Sequence, residues 1–78
     1  MNRKASAEIL EILSFNVKRL REARGLTQEE LARICGYHRT YISSIEQGIR
    51  NVSLANLAVL AAGLGCKMED LFRSLPKP

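Results

Sequence analysis

Between Ala5 and Arg24 the chain contains neither Gly nor Pro, and Ile9, Ile12, Leu13, Val17 and Leu20 return at steps of three and four residues. That spacing predicts one long helix with a single buried stripe. Lys18, Arg19, Glu22 and Arg24 fall largely off the stripe, and Gly25 marks the helix end. Thr27 to Glu30 reads as a capping box, in which the hydroxyl and the carboxylate each serve an amide at the helix start. The second helix it opens runs through Leu31, Ala32 and Ile34 toward Gly36, where the missing Cβ permits positive φ and a sharp turn. A third helix begins near His38, buries Ile42 and Ile45, and stops at Gly48.

Ser53 opens a fourth helix, SLANLAVLAAGLG, with Leu54, Leu57, Leu60, Ala61 and Leu64 as a core-facing side that closes at Gly63 and Gly65. A fifth, about 67–75, presents Met68, Leu71, Phe72 and Leu75 and is stopped by Pro76 and Pro78. No period-two stretch, internal repeat or linker interrupts this order. The expected fold is all-α: five helices in one domain, 1–78.

Composition sharpens that picture. At 78 residues and 46% hydrophobic, with two Tyr, two Phe and no Trp, the chain suits a small core of Leu, Ile and Ala. So small a core stabilises a protein only modestly, which favours an added partner. The formal charge of +4 fits a polyanion as well as an ordinary soluble surface. Cys35 and Cys66 are far apart, and the sequence shows no signal-peptide core and no bilayer-length apolar run; reduced thiols and a cytoplasmic location are expected.

The chemistry concentrates between Leu26 and Asn51. A helix fits the major groove of B-DNA, so a short helix held by a glycine turn against a second can offer its first turns to base edges. The helix-turn-helix spans about 27–47. Its expected outward residues are His38, Arg39, Thr40, Tyr41, Ser43, Ser44 and Gln47. Arg39 leads for base reading, because a guanidinium fork matches guanine O6 and N7, a contact worth roughly 1–3 kcal/mol of discrimination. Thr40, Ser43 and Ser44 are weaker candidates for base edges. Tyr41 suits either a phosphate or the rim of the core. His38 suits a helix cap or a phosphate better than a metal.

Backbone contacts are expected from Thr27 and Gln28, where free amides and the positive end of the helix dipole attract an anion. Gln47 joins them, as do Arg50 and Asn51 in the next loop, although Asn51 also suits a plain turn. Cys35, His38 and Cys66 lack metal-closing spacing, the lone His has no evident nucleophile and carboxylate arranged with it, and no phosphate-cradling loop occurs. Neither catalysis, a metal nor a cofactor is expected.

LTQEELA, then a Gly, then HRTYISSIEQGIRNVSLANL resembles the Cro and phage-repressor type of helix-turn-helix domain, over about Phe15 to Phe72. The resemblance implies a five-helix fold of the lambda-repressor kind and a buried ion pair falling on Arg21 and Glu46. Within the family, RTYIS followed by RN looks like the controller proteins of restriction-modification systems, small dimers that bind operator repeats in double-stranded DNA. Arg39, Thr40 and Tyr41 would then contact the operator, flanked by Gln28, Ser43 and Asn51. Lys67 departs from the family's usual Ser or Thr cap, and Glu69 and Asp70 are placed to compensate.

One such unit reads a short half-site, which favours a homodimer spacing two recognition helices by one DNA turn. Met68, Leu71, Phe72 and Leu75 are its expected interface, although Leu71 and Phe72, Leu71 above all, also suit the core, and RNA polymerase is a further candidate partner. The expected function is sequence-specific transcriptional regulation at a palindromic operator. The alternative is an antitoxin-like interaction module using the apolar N-terminus from Ile9 to Leu13.

Overall fold

The computed structural model describes residues 2–76, so Pro78 lies outside the described residues. Four α-helices follow in order, α1 Arg3–Ala23, α2 Gln28–Cys35, α3 Arg39–Glu46 and α4 Leu54–Leu64, and a 3-10 helix, Met68–Phe72, closes the chain. The all-helical expectation holds among the described residues, with one correction. The last element is a five-residue 3-10 helix rather than an α-helix reaching position 75, and Arg73 is already extended.

Two causes act on that short segment. The buried Asn16 donates both hydrogens of its side-chain amide, to the Leu71 carbonyl at 3.1 Å and the Arg73 carbonyl at 2.9 Å, and so engages acceptors a longer helix would use. Pro76 then brings no N–H and restricts the residue before it. At the start of this element Asp70 does what Lys67 cannot, accepting from the Lys67 amide at 2.9 Å.

α1 starts earlier than expected, because Asn2 caps it by accepting from the Ala5 amide at 3.0 Å. Leu13 and Val17 enter the core, but Ile9 stays 44% exposed, since the first turns of α1 project beyond the helices that cover the rest of the stripe. The core joins Leu13, Val17, Leu31, Ile42, Ile45, Leu57, Leu60, Leu64 and Leu71. Leu54 does not belong to it; as the first residue of α4 it is 75% exposed.

Gly63 does not close α4 but lies inside it. A Cβ there would stand 2.6 Å from the Cys35 sulfur, so this glycine lets α2 and α4 approach closely. The helix ends one residue later at Leu64, with Gly65 in the left-handed conformation. Of the residues expected at the dimer interface, Leu71 takes its alternative place in the core: it is fully buried within its own chain and offers nothing to a partner.

Candidate nucleic-acid interface

The site rests on the connection between α2 and α3. The Thr27 hydroxyl accepts from the Glu30 amide at 3.1 Å, and the Thr27 amide donates to the Glu30 carboxylate at 2.9 Å. Thr27 also holds the Glu30 carboxyl below its ordinary value, first through its amide and then through its hydroxyl. Helix geometry leaves the Gln28 and Glu29 amides without intrahelical acceptors at the positive end of the dipole. At the other end of α2, Gly36 takes φ 76° and turns the chain into α3.

α3 is fixed from beneath by a buried ion pair. Arg21 donates through Nε to Glu46 Oε2 at 2.7 Å and through Nη2 to Oε1 at 3.0 Å, and its Nη1 reaches the Leu26 carbonyl at 2.6 Å. The Glu46 side chain is only 4% exposed, and its hydrogen bond raises the Arg21 pKa above the ordinary value. Gln28 Nε2 donates to the same carboxylate at 3.1 Å, so this side chain serves the interior and keeps one amide hydrogen for the outside. One carboxylate thus joins α1, the start of α2 and the end of α3.

Outward from this anchor, Arg39 and Thr40 are exposed in the first turn of α3. Ser43 and Gln47 continue the face of Arg39 at four-residue steps, joined by a Gln47 Nε2 to Ser43 Oγ bond of 3.0 Å. His38 stands exposed before the helix and makes no side-chain cap, which removes the capping role considered for it. Ser44 turns back into the protein: its hydroxyl donates to the Tyr41 carbonyl at 2.7 Å and accepts from Arg50 Nε at 3.2 Å. Its proton is engaged and its side chain half-buried, so its geometry serves to hold Arg50 rather than to read a base.

Tyr41 takes the core-rim position considered for it, partly buried against the core. Its ring meets Tyr37 edge-on, with centroids 4.9 Å apart, and lies 5.6 Å from the Arg50 guanidinium carbon. Its hydroxyl accepts from Asn56 Nδ2 at 3.0 Å and keeps its own proton to donate. Tyr37 reaches the Asn56 carbonyl at 3.5 Å. Asn56 and Tyr37 had not been singled out in the sequence; the only available signal was Asn56 three residues after the Ser53 cap, whose hydroxyl does accept from the Asn56 amide at 3.1 Å. Asn51 is exposed beside Arg50.

Residues 17–71 match the HTH_3 helix-turn-helix family model, which covers most of the chain and all of this site. The chain belongs to the HTH_3 helix-turn-helix family. Among its relatives, the control protein C.SmaI of Serratia marcescens is 47% identical over 64 residues, spanning 82% of this chain and 76% of that protein. The control protein C.MunI of a Mycoplasma species is 48% identical over 62 residues, spanning 78% and 84%. The crystal structure of the restriction-modification controller C.AhdI from Aeromonas hydrophila superposes with a TM-score of 0.78 at 41% identity, covering 81% of this chain and 96% of that one. In this helix-turn-helix chain, no group of three or more His, Cys, Asp and Glu among the described residues is placed to hold a metal. Nor is any helix among them long and apolar enough to cross a membrane.

Proposed function

We propose that this helix-turn-helix regulator acts as a two-fold dimer on a palindromic operator and controls the genes of a restriction-modification system. The observation that carries the reading is the contrast within α3. Glu46 and Tyr41 tie the helix to α1 and α4 and the Ser44 hydroxyl is engaged by the Tyr41 carbonyl, while Arg39 and Thr40 stand exposed in its first turn. Arg39 reads guanine, Thr40 and Ser43 touch neighbouring base edges, and the other contacts set register on the phosphates. Those contacts come from the amides at Thr27 and Gln28, from Gln47, and from His38, Tyr41, Arg50 and Asn51. Similarity to proteins named as restriction-modification controllers supports the biological assignment.

For the dimer, Met68, Phe72 and Leu75 are half-buried and leave apolar area to share, whereas Leu71 drops out. Leu54, and Ile49 at 71% exposure, are the most exposed large apolar groups among the described residues and extend the face a second copy would cover. The protein works in the cytoplasm, where it meets DNA and where RNA polymerase is the partner through which occupancy changes transcription. Exposed Ile9 is the one observation favouring an antitoxin-like module instead, and buried Leu13 counts against it.

Footprinting and gel-shift titration on the DNA upstream of the gene test the proposal. Arg39→Ala should lose roughly 10- to 100-fold of its preference for the site over a variant with the contacted guanine replaced, following from about 1–3 kcal/mol per bidentate contact. Unchanged affinity in an Arg39, Thr40 double alanine protein would hand the case to the interaction module.

A further inference from the structure

The first turns of α1 precede the family-matched segment, which begins at residue 17, yet they are not idle surface. Gly48, at φ 74°, ends the recognition helix against them: a Cβ there would lie 3.6 Å from Ser14 Oγ and 3.7 Å from the Leu10 carbonyl oxygen. Beyond Gly48, Asn51 and Val52 face Ile9, Leu10 and Leu13 across a shallow groove of about 180 Å³, floored by Leu57 and Phe72. Arg50 sits between these two supports; its Nε donates to Ser44 Oγ and its guanidinium carbon lies 5.6 Å from the Tyr41 ring centroid.

We propose that the segment Ile9–Ser14 is a positioning brace for the loop Gly48–Val52, fixing the backbone from which Arg50 and Asn51 meet the DNA phosphates. The inference rests on the phosphate role proposed above for that loop. The contacts with Ser44 and Tyr41 tie the Arg50 side chain to α3, but they leave the loop backbone that carries Arg50 and Asn51 without a support of its own. Leu10 and Ser14 fix where the loop starts, and the apolar wall of Ile9 and Leu13 fixes where Val52 turns toward α4. The phosphate contact is sequence-independent, so the brace sets affinity and salt dependence while leaving base choice to Arg39.

Because no operator is needed to see a phosphate contact, the probe is a random-sequence duplex of about 20 base pairs, titrated at several salt concentrations. Each neutralised phosphate contributes about 0.9 to the slope of log affinity against log salt. Arg50→Ala, Ile9→Ser and Leu10→Ser are compared singly and in pairs with Arg50→Ala; Ile9→Ala, at a half-exposed site, supplies a variant that keeps the fold. Expected is a slope loss of about 0.9 per protomer in Arg50→Ala and a similar loss in the brace variants. The pairs should show no further loss, and hydrogen exchange should quicken at residues 49–52 but not at 28–31. A folded brace variant with the wild-type slope, whose pair with Arg50→Ala still drops by the full amount, overturns the brace alone. An unchanged slope in Arg50→Ala itself overturns the phosphate role of the loop and the brace with it.

Discussion

At the scale of single residues, Glu46 is a costly side chain to lose. Its carboxylate answers Arg21 and Gln28 in a nearly dry setting, so Glu46→Ala leaves a buried guanidinium without its partner. The expected loss is about 3–5 kcal/mol, roughly 12–40 °C in melting temperature for a domain this size. Glu22→Ala, on the exposed side of α1, should change little, and thermal melts that coincide for the two variants would remove this account. Two half-buried carboxyls contribute to the acid response. Glu30 is held below its ordinary 4.5 first by the Thr27 amide, and Asp70 below its ordinary 3.8 first by the Lys67 amide. Depressed carboxyls contribute stability that is complete above those ordinary values and is lost as pH falls through the folded ones. Melting temperature should therefore fall on acidification from about pH 4.5 downward, and Glu30→Gln with Asp70→Asn should flatten that fall.

Elements were legible in the sequence where chemistry is local. The Thr27 to Glu30 box, the Gly36 turn and the Ser53 cap are formed by residues a few positions apart, and all three stand where the pattern placed them. Thr27→Ala should cost about 1 kcal/mol, read by chemical denaturation. What the pattern could not carry is contact across the fold. Asn16 ends the last helix from 55 positions away in the chain, and no spacing rule pairs it with Leu71. Gly63 looked like a terminator because a glycine near a helix end usually is one, whereas its reason is the Cys35 sulfur on another helix. In the site, Arg39 and Thr40 are where periodicity put them, but Ser44 shares their neighbourhood and points back, drawn by Arg50 six residues later. Gly63→Ala makes the distinction measurable. An alanine inside a helix gains about 1 kcal/mol over glycine, and overpacking costs about 1–3 kcal/mol. The single variant should lose stability, and in a Cys35→Ala background the same change should gain it.

The whole molecule is a frame that holds one short helix at a set angle, with α1 beneath it, α2 across the turn and α4 alongside. On the proposed reading a frame of this size meets one half-site, so assembly belongs to the same scale. Sedimentation at tens of micromolar should show a dimer, and Leu54→Glu should shift it toward monomer without lowering the protomer's melting temperature, because Leu54 leaves its own core untouched. A dimer indifferent to that change would place the contact elsewhere. The tie between Asn56 and the Tyr41 hydroxyl reaches further. Asn56 braces α3 from behind through Tyr41, so on the proposed reading a change there shifts the expected base-reading face while altering none of its side chains. Operator preference would then drift through a residue outside that face, and two proteins with the same α3 sequence need not answer to the same promoter.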